Sequence, residues 1–342
     1  MITDSQIDEQ VTKLLNGDQR AVAKLMTYAE MDIHLAAKVI KRLYHKTGKA
    51  YIIGITGAPG VGKSSLVNEM IEYYVKNIHR VGVIAVDPSS AFTGGAILGD
   101  RIRMKKNFTV KEVFIRSMAN RGQMGGLARA TRDMIKILDA AGYDIILVET
   151  VGVGQDEIDI FKAAHTCVVV VVPGMGDEIQ AIKAGIMEIT DVFVVNKMDL
   201  PGVDRTIMDL ETTLKIQQNS HVKHPILAPQ TLFIKYNDWK PPIVKTNALL
   251  GENIPAFITT VQDHKQFLTN NQLLIKKKNF ATKNEVMDIM KFQLYQKVED
   301  YIFKSPKVNQ FIEEITSGVA DPYSISEDLL AKFVQEGKII DE

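Results

Sequence analysis

The chain has 342 residues, about twice the usual domain length, so one large α/β domain with extensions, or two domains, is expected. Its 41 Lys and Arg balance 41 Asp and Glu, which excludes a global field that would gather nucleic acid or an anionic membrane. A hydrophobic share of 46% and a charged share of 24% exclude disorder, collagen-like repeats and coiled-coil rods.

In chain order, Met1 to Glu9 is acidic and polar with no apolar core, so it reads as neither a secretory signal nor an organellar transit peptide. Apolar positions at helical spacing (Ile7, Val11, Leu14, then Val22, Leu25) predict helices over residues 5–46, broken at Asn16-Gly17-Asp18. Short β-rich runs follow at Tyr51–Ile55 and Val81–Val86, separated by a glycine loop and a helical stretch from Lys63 to about Lys76. This is a βαβ unit, whose second strand lies parallel to its first. Further strands are expected at Val113–Ile115, Asp144–Val148, Thr166–Val172, Asp191–Val195 and Ile243–Thr246. Most are unbroken Val/Ile runs, the pattern of strands covered on both faces, so the expected architecture is a doubly wound, mainly parallel sheet.

Beyond Pro255, helical spacing returns in Met287, Met290, Leu294, Val298 and Tyr301, and again in Leu329, Leu330, Phe333 and Val334. The expected organisation is an N-terminal helical extension over 1–48, a nucleotide domain over 49–260 and a C-terminal helical extension over 261–342. Lys276 to Lys278 reads as a solvated helix face. Cys167, the single cysteine, sits in a Val run as a buried small hydrophobe, which leaves no disulfide framework within one chain. No run reaches the ~18 apolar residues of a membrane span. A cytoplasmic, membrane-free protein is expected.

Gly57-Ala58-Pro59-Gly60-Val61-Gly62-Lys63-Ser64, continued by Ser65, fits G-x-x-x-x-G-K-S/T between the first strand and first helix. Glycines there let backbone N–H groups turn around an anion, and the helix start adds its positive dipole end. Lys63 would reach the β- and γ-phosphates, and the Ser64 hydroxyl would ligate Mg²⁺.

Asn196-Lys197-Met198-Asp199 follows a later strand at the edge where such sheets bind ligands. Asp199 can accept from the N1–H and exocyclic amine of guanine, which adenine does not offer. The Lys197 stem can cover the base plane, and Asn196 would brace the loop. Thr246-Asn247-Ala248, again after a strand, would be a second base loop with backbone N–H groups aimed at the guanine oxygen. These loops imply a GTPase using GTP and GDP.

Glu149-Thr150-Val151-Gly152 stands where most signalling GTPases have D-x-x-G. Glu149 is expected to orient the Mg²⁺ shell and Gly152 to give its N–H to the γ-phosphate. Val153 occupies the place of the water-positioning glutamine of Ras-like proteins, so slow intrinsic turnover is expected. Gln155 lies just beyond, either swung in by a partner or part of an exposed loop.

Together with Val86-Asp87-Pro-Ser-Ser90, Gly94 to Arg101, Glu149 to Gln155 and Gln180 to Gly185, the chain resembles the MeaB/ArgK family of methylmalonyl-CoA mutase-associated GTPases. That resemblance implies a GTP-hydrolysing chaperone for an adenosylcobalamin-dependent acyl-CoA mutase, gating cofactor loading and removal of damaged cofactor, and a homodimer. It also implies that Asp87 and Asp100 lie near Mg²⁺ and that Lys183 belongs to a mobile loop, Pro173 to Gly185, which relays the partner. Read without it, Asp87 is equally a strand-end acid before a proline turn, and Asp100 pairs with Arg101. The alternatives are a P-loop metabolic kinase, which has no need of Asp199, and a nickel-insertion GTPase, which the scattered histidines do not favour. The stretch His221 to Trp239 fits no motif.

Overall fold

The structure, a computed structural model, describes residues 2–87, 111–119, 126–150, 162–174, 189–219, 238–304 and 308–335. Strands β1 (Tyr51–Thr56), β2 (Val81–Asp87), β3 (Val113–Ala119), β4 (Ile145–Thr150), β5 (Thr166–Val171), β6 (Val192–Val195) and β7 (Ile243–Lys245) fall where the apolar runs predict them. They form one seven-stranded sheet in the order β3-β2-β4-β1-β5-β6-β7. Every pairing is parallel. The second strand runs with the first, as the βαβ reading requires, but β4 lies between them.

The described helices are α1 (Asp4–Leu15), α2 (Gln19–Met31), α3 (Ile33–Leu43), α4 (Lys63–Lys76), α5 (Gly126–Ala140), α6 (Val203–Asn219), α7 (Ile254–Asn270), α8 (Leu273–Lys304), α9 (Val308–Thr316) and α10 (Pro322–Gln335). Every residue of β4, β5 and β6 is buried, so helices must cover both faces. One face packs Ile53, Ile55, Val168, Val170, Val192 and Val194 against Leu66, Met70 and Ile71 of α4 and Phe257, Ile258 and Val261 of α7. The alternating residues Ile84, Val86, Ile146 and Val148 turn to the other face. There they meet Met134, Ile137 and Leu138 of α5 together with Ile7, Leu14, Leu25 and Val39 of α1 to α3. The N-terminal helices therefore share a core with the sheet.

Asp18 caps α2, accepting from Arg20 N and Ala21 N, at the break the sequence marks. A second break was not anticipated. Asp32 closes α2 and caps α3, its Oδ1 accepting from His34 N at 2.7 Å and Leu35 N at 2.9 Å, so the predicted 5–46 stretch contains three helices.

The chain forms two compact units, residues 1–277 and 278–342. The expected boundary at 260 falls inside α7, whose Phe257, Ile258, Val261 and Leu268 are buried. In the second unit Phe333 is buried and packs at a tilt against Tyr301, ring centroids 5.3 Å apart. Among the described residues no helix is long and apolar enough to cross a membrane.

A buried polar cluster closes the N-terminal ends of β1, β5 and β6. Asp191 is its hub. One carboxylate oxygen accepts from Cys167 N at 2.8 Å and Lys277 Nζ at 3.1 Å, while the other lies 3.3 Å from His264 Nε2. His264 Nδ1 shares a hydrogen bond with Thr166 Oγ1 at 2.9 Å, which in turn meets Tyr51 Oη at 2.6 Å. Trp239 donates to the Asp191 carbonyl at 2.8 Å and packs on His264. Lys277 also donates to the His165 carbonyl at 2.7 Å. Its place in this cluster corrects the reading of residues 276–278 as one solvated face: the side chain is 17% exposed and paired. Burial pushes the Cys167 thiol up to about 12, which suits an inert packing residue.

Burial also lowers the His264 imidazole from 6.5 to about 4, against the opposing pull of Asp191. The unfolded chain binds that proton more readily, so the stabilisation is whole above pH 6.5 and is lost progressively as pH falls to 4. His264→Gln is expected to flatten this part of the stability profile. Urea unfolding followed from neutral pH down to pH 4 checks it; parallel slopes for variant and parent would overturn the assignment.

Candidate functional site

Because the strands are parallel, their carboxyl ends share one edge, and the loops leaving β1, β6 and β7 meet there beside the end of β4. The β1 loop turns through Gly57, Gly60 and Gly62 at φ +146°, +80° and +93°. A Cβ on Gly57 would stand 2.2 Å from the Val170 carbonyl oxygen, and one on Gly62 2.3 Å from Asn196 Nδ2. Glycine is required there by space as well as by backbone angle. Val61 is fully buried and anchors the loop in the core. Helix α4 then starts at Lys63 with no side-chain hydrogen bond from its N-cap, Gly62, the setting in which first-turn N–H groups can bind an anion.

Lys63 is buried, with Nζ donating to the Gly57 and Ala58 carbonyls at 2.7 and 2.8 Å. The ammonium is thus held within the loop. Ser64 Oγ donates to Glu149 Oε1 at 2.6 Å. Glu149 is itself buried and lies directly across from Ile55 in the β1–β4 register, so two of the four expected metal-shell residues, Ser64 and Glu149, are brought together. Two hard oxygen donors in contact at the helix start fit a Mg²⁺ ion shared with a nucleotide. Among the described residues no group of three or more His, Cys, Asp or Glu is placed to hold a metal by itself.

Asn196 ties three loops together. Its Nδ2 donates to the Val61 carbonyl at 2.8 Å, while its Oδ1 accepts from Thr246 Oγ1 at 3.1 Å and Ala248 N at 2.9 Å. Lys197 follows at φ +57° and turns the chain sharply. Asp199 is exposed, with Oδ1 accepting from Asn247 Nδ2 at 2.9 Å. The Thr246–Ala248 loop differs from expectation in one respect. Its backbone N–H groups bond within the protein, to Val195 O at 2.9 Å, Glu252 O at 3.2 Å and Asn196 Oδ1 at 2.9 Å. This loop braces the Asn196 and Asp199 side chains.

Asp87 closes β2 at the same edge; Asp100, Gly152, Gln155 and Lys183, with His221 and His224, lie outside the described residues. One feature escaped the sequence reading. Thr150 Oγ1 donates to Thr56 Oγ1 at 3.1 Å, and both are buried. The pair links the strand ends that carry Glu149 and the phosphate loop; a threonine beside the acid was the available signal.

Gly62→Ala should displace Asn196 and cost on the order of 3 kcal/mol. Gly60→Ala, whose Cβ meets nothing within 4 Å, should cost only the backbone strain of about 1 kcal/mol. Urea unfolding without nucleotide measures both; equal losses would remove Asn196 as the cause.

Residues 22–302 match the family described as methylmalonyl Co-A mutase-associated GTPase MeaB. A protein of Pyrococcus abyssi named as a GTPase is 43% identical over 338 residues, covering 98% of this chain and 99% of its own. GTPase ArgK of Escherichia coli is 29% identical, with 92% and 91% covered. The mitochondrial methylmalonic aciduria type A homolog of Caenorhabditis elegans is 26% identical, with 96% and 84% covered. The crystal structure of a LAO/AO transport system kinase shares the fold at a TM-score of 0.65 and 23% identity, over 98% of this chain and 99% of that one. With the phosphate loop, its serine–glutamate pair and the Asn196–Asp199 loop assembled at one sheet edge, the chain belongs to the MeaB family of GTPases, which bind guanine nucleotide and hydrolyse GTP.

Proposed function

We propose that this GTPase serves an adenosylcobalamin-dependent acyl-CoA mutase in the cytoplasm, gating loading of intact cofactor and removal of damaged cofactor. The observation that carries the reading is the family match over residues 22–302, whose description names the mutase. Lys63 and the loop Gly57–Ser65 hold the phosphates, and Asn196, Lys197 and Asp199 hold the base. Ser64 and Glu149 would hold Mg²⁺, joined by Asp87 and Asp100; the ion would neutralise charge on the β- and γ-phosphates. With Val153 in place of a water-positioning glutamine, intrinsic turnover is slow and the mutase accelerates it through Gln155 and Lys183.

Lys183→Ala is expected to leave basal hydrolysis and GTP affinity nearly unchanged and to abolish most of the acceleration on adding the mutase. Basal and stimulated rates measured side by side test it. An equal fractional loss in both overturns the relay, and the absence of any stimulation in the parent overturns the partner.

The GTPase acts as a homodimer joined through its C-terminal helices. Val286, Met287, Met290, Leu294 and Tyr295 of α8 are 45–61% exposed, an apolar surface that a second copy would cover. Tyr301, expected on the same surface, packs on Phe333. Light scattering at micromolar concentration should give a dimer, and Met287→Lys with Met290→Lys should give a monomer; a monomeric parent overturns it.

A further inference from the structure

We propose that the Asn247 side chain is a positioning residue for guanine recognition, holding the Asp199 carboxylate in the plane that accepts two hydrogen bonds from one base. The inference rests on the reading of Asp199 as the guanine acceptor and deepens it. Asn247 is 4% exposed, yet its amide reaches out to an exposed residue, with Nδ2 donating to Asp199 Oδ1 at 2.9 Å. An aspartate carboxylate rotates freely about its last bond, where the torsional wells are broad and shallow. A single hydrogen bond tolerates that rotation. Two simultaneous bonds, from the ring N–H and the exocyclic amine, do not.

The amide is itself pre-aimed. The Asn247 N–H donates to the Glu252 carbonyl at 3.2 Å, and its carbonyl accepts from Leu250 N at 3.2 Å and Glu252 N at 3.0 Å. Asn247 and Glu252 form a bridge that closes the loop on itself, so the side chain leaves a backbone fixed on both sides. Thr246 Oγ1 and Ala248 N hold Asn196 Oδ1 from the same short loop. Each carboxylate oxygen has two lone pairs, so Asp199 Oδ1 accepts from Asn247 and keeps one direction for the base. The loop thus acts on the base through side chains braced at both ends of the Asn196–Asp199 segment.

The test compares guanosine diphosphate with inosine diphosphate, which lacks only the exocyclic amine. Dissociation constants are measured by calorimetry on the full chain for the parent, Asn247→Ala, Asn247→Asp and Asp199→Asn. The parent should favour guanosine diphosphate, and Asn247→Ala should lower that preference about tenfold, chiefly by weakening guanosine diphosphate. Asn247→Asp, of equal size but without the donor, should lower it at least as far. If Asp199→Asn collapses the preference while Asn247→Ala keeps it, or weakens both nucleotides equally, the positioning role is overturned and base recognition by Asp199 stands. If Asp199→Asn leaves the preference intact, the reading of Asp199 fails and the positioning role falls with it.

Discussion

All seven strands run in one direction, and the site follows from that constraint. Parallel strands need crossovers, crossovers place helices on both faces, and a sheet covered on both faces must be apolar throughout. The Ile, Leu and Val runs of β4 to β6 meet that demand. The same direction brings every strand's carboxyl end to one edge, where unpaired backbone and loop side chains converge. Gly57 and Asn196, which follow β1 and β6, and Glu149, near the end of β4, are far apart in the chain and reach one edge because these strands point the same way.

Within that edge the organising contact is the buried carboxamide of Asn196. It donates to the phosphate loop through Val61 O and accepts from the second base loop through Thr246 Oγ1 and Ala248 N. A buried amide left unbonded costs about 1–3 kcal/mol, so a displacement of either loop is opposed by the bonds it shares with that amide. Gly62 belongs to this arrangement because a Cβ there would collide with the amide nitrogen. The phosphate and base parts of the site are therefore one packed object.

The opposite ends of β1, β5 and β6 carry the Asp191 cluster, so β1 and β6 have polar side chains at both ends and apolar packing between. Asp191 has Lys277, Cys167 N and His264 around its carboxylate. Burial keeps His264 neutral near pH 7, because desolvation outweighs the attraction of Asp191. Lys277, the last residue of the first unit, completes the cluster with its ammonium.

Much was legible in sequence because it rests on local chemistry. The strands were readable from unbroken Val/Ile runs, α4 and its phosphate loop from glycine spacing, and the guanine segment from its place after a strand. Asp18 was readable as a cap because capping is a bond between near neighbours; Asp32 obeys the same rule but had no glycine beside it to mark the break. What only the tertiary structure decided are contacts between residues distant in the chain. β4 inserts between β1 and β2, Lys277 joins a buried hub instead of a solvated face, and the Asn247 amide reaches Asp199. The N–H groups of the second base loop bond to Val195, Glu252 and Asn196, partners that sequence spacing cannot supply. Periodicity and motif spacing report which face or loop a residue occupies; which partner it meets there is set by strand order and packing, where distant segments compete for the same donors.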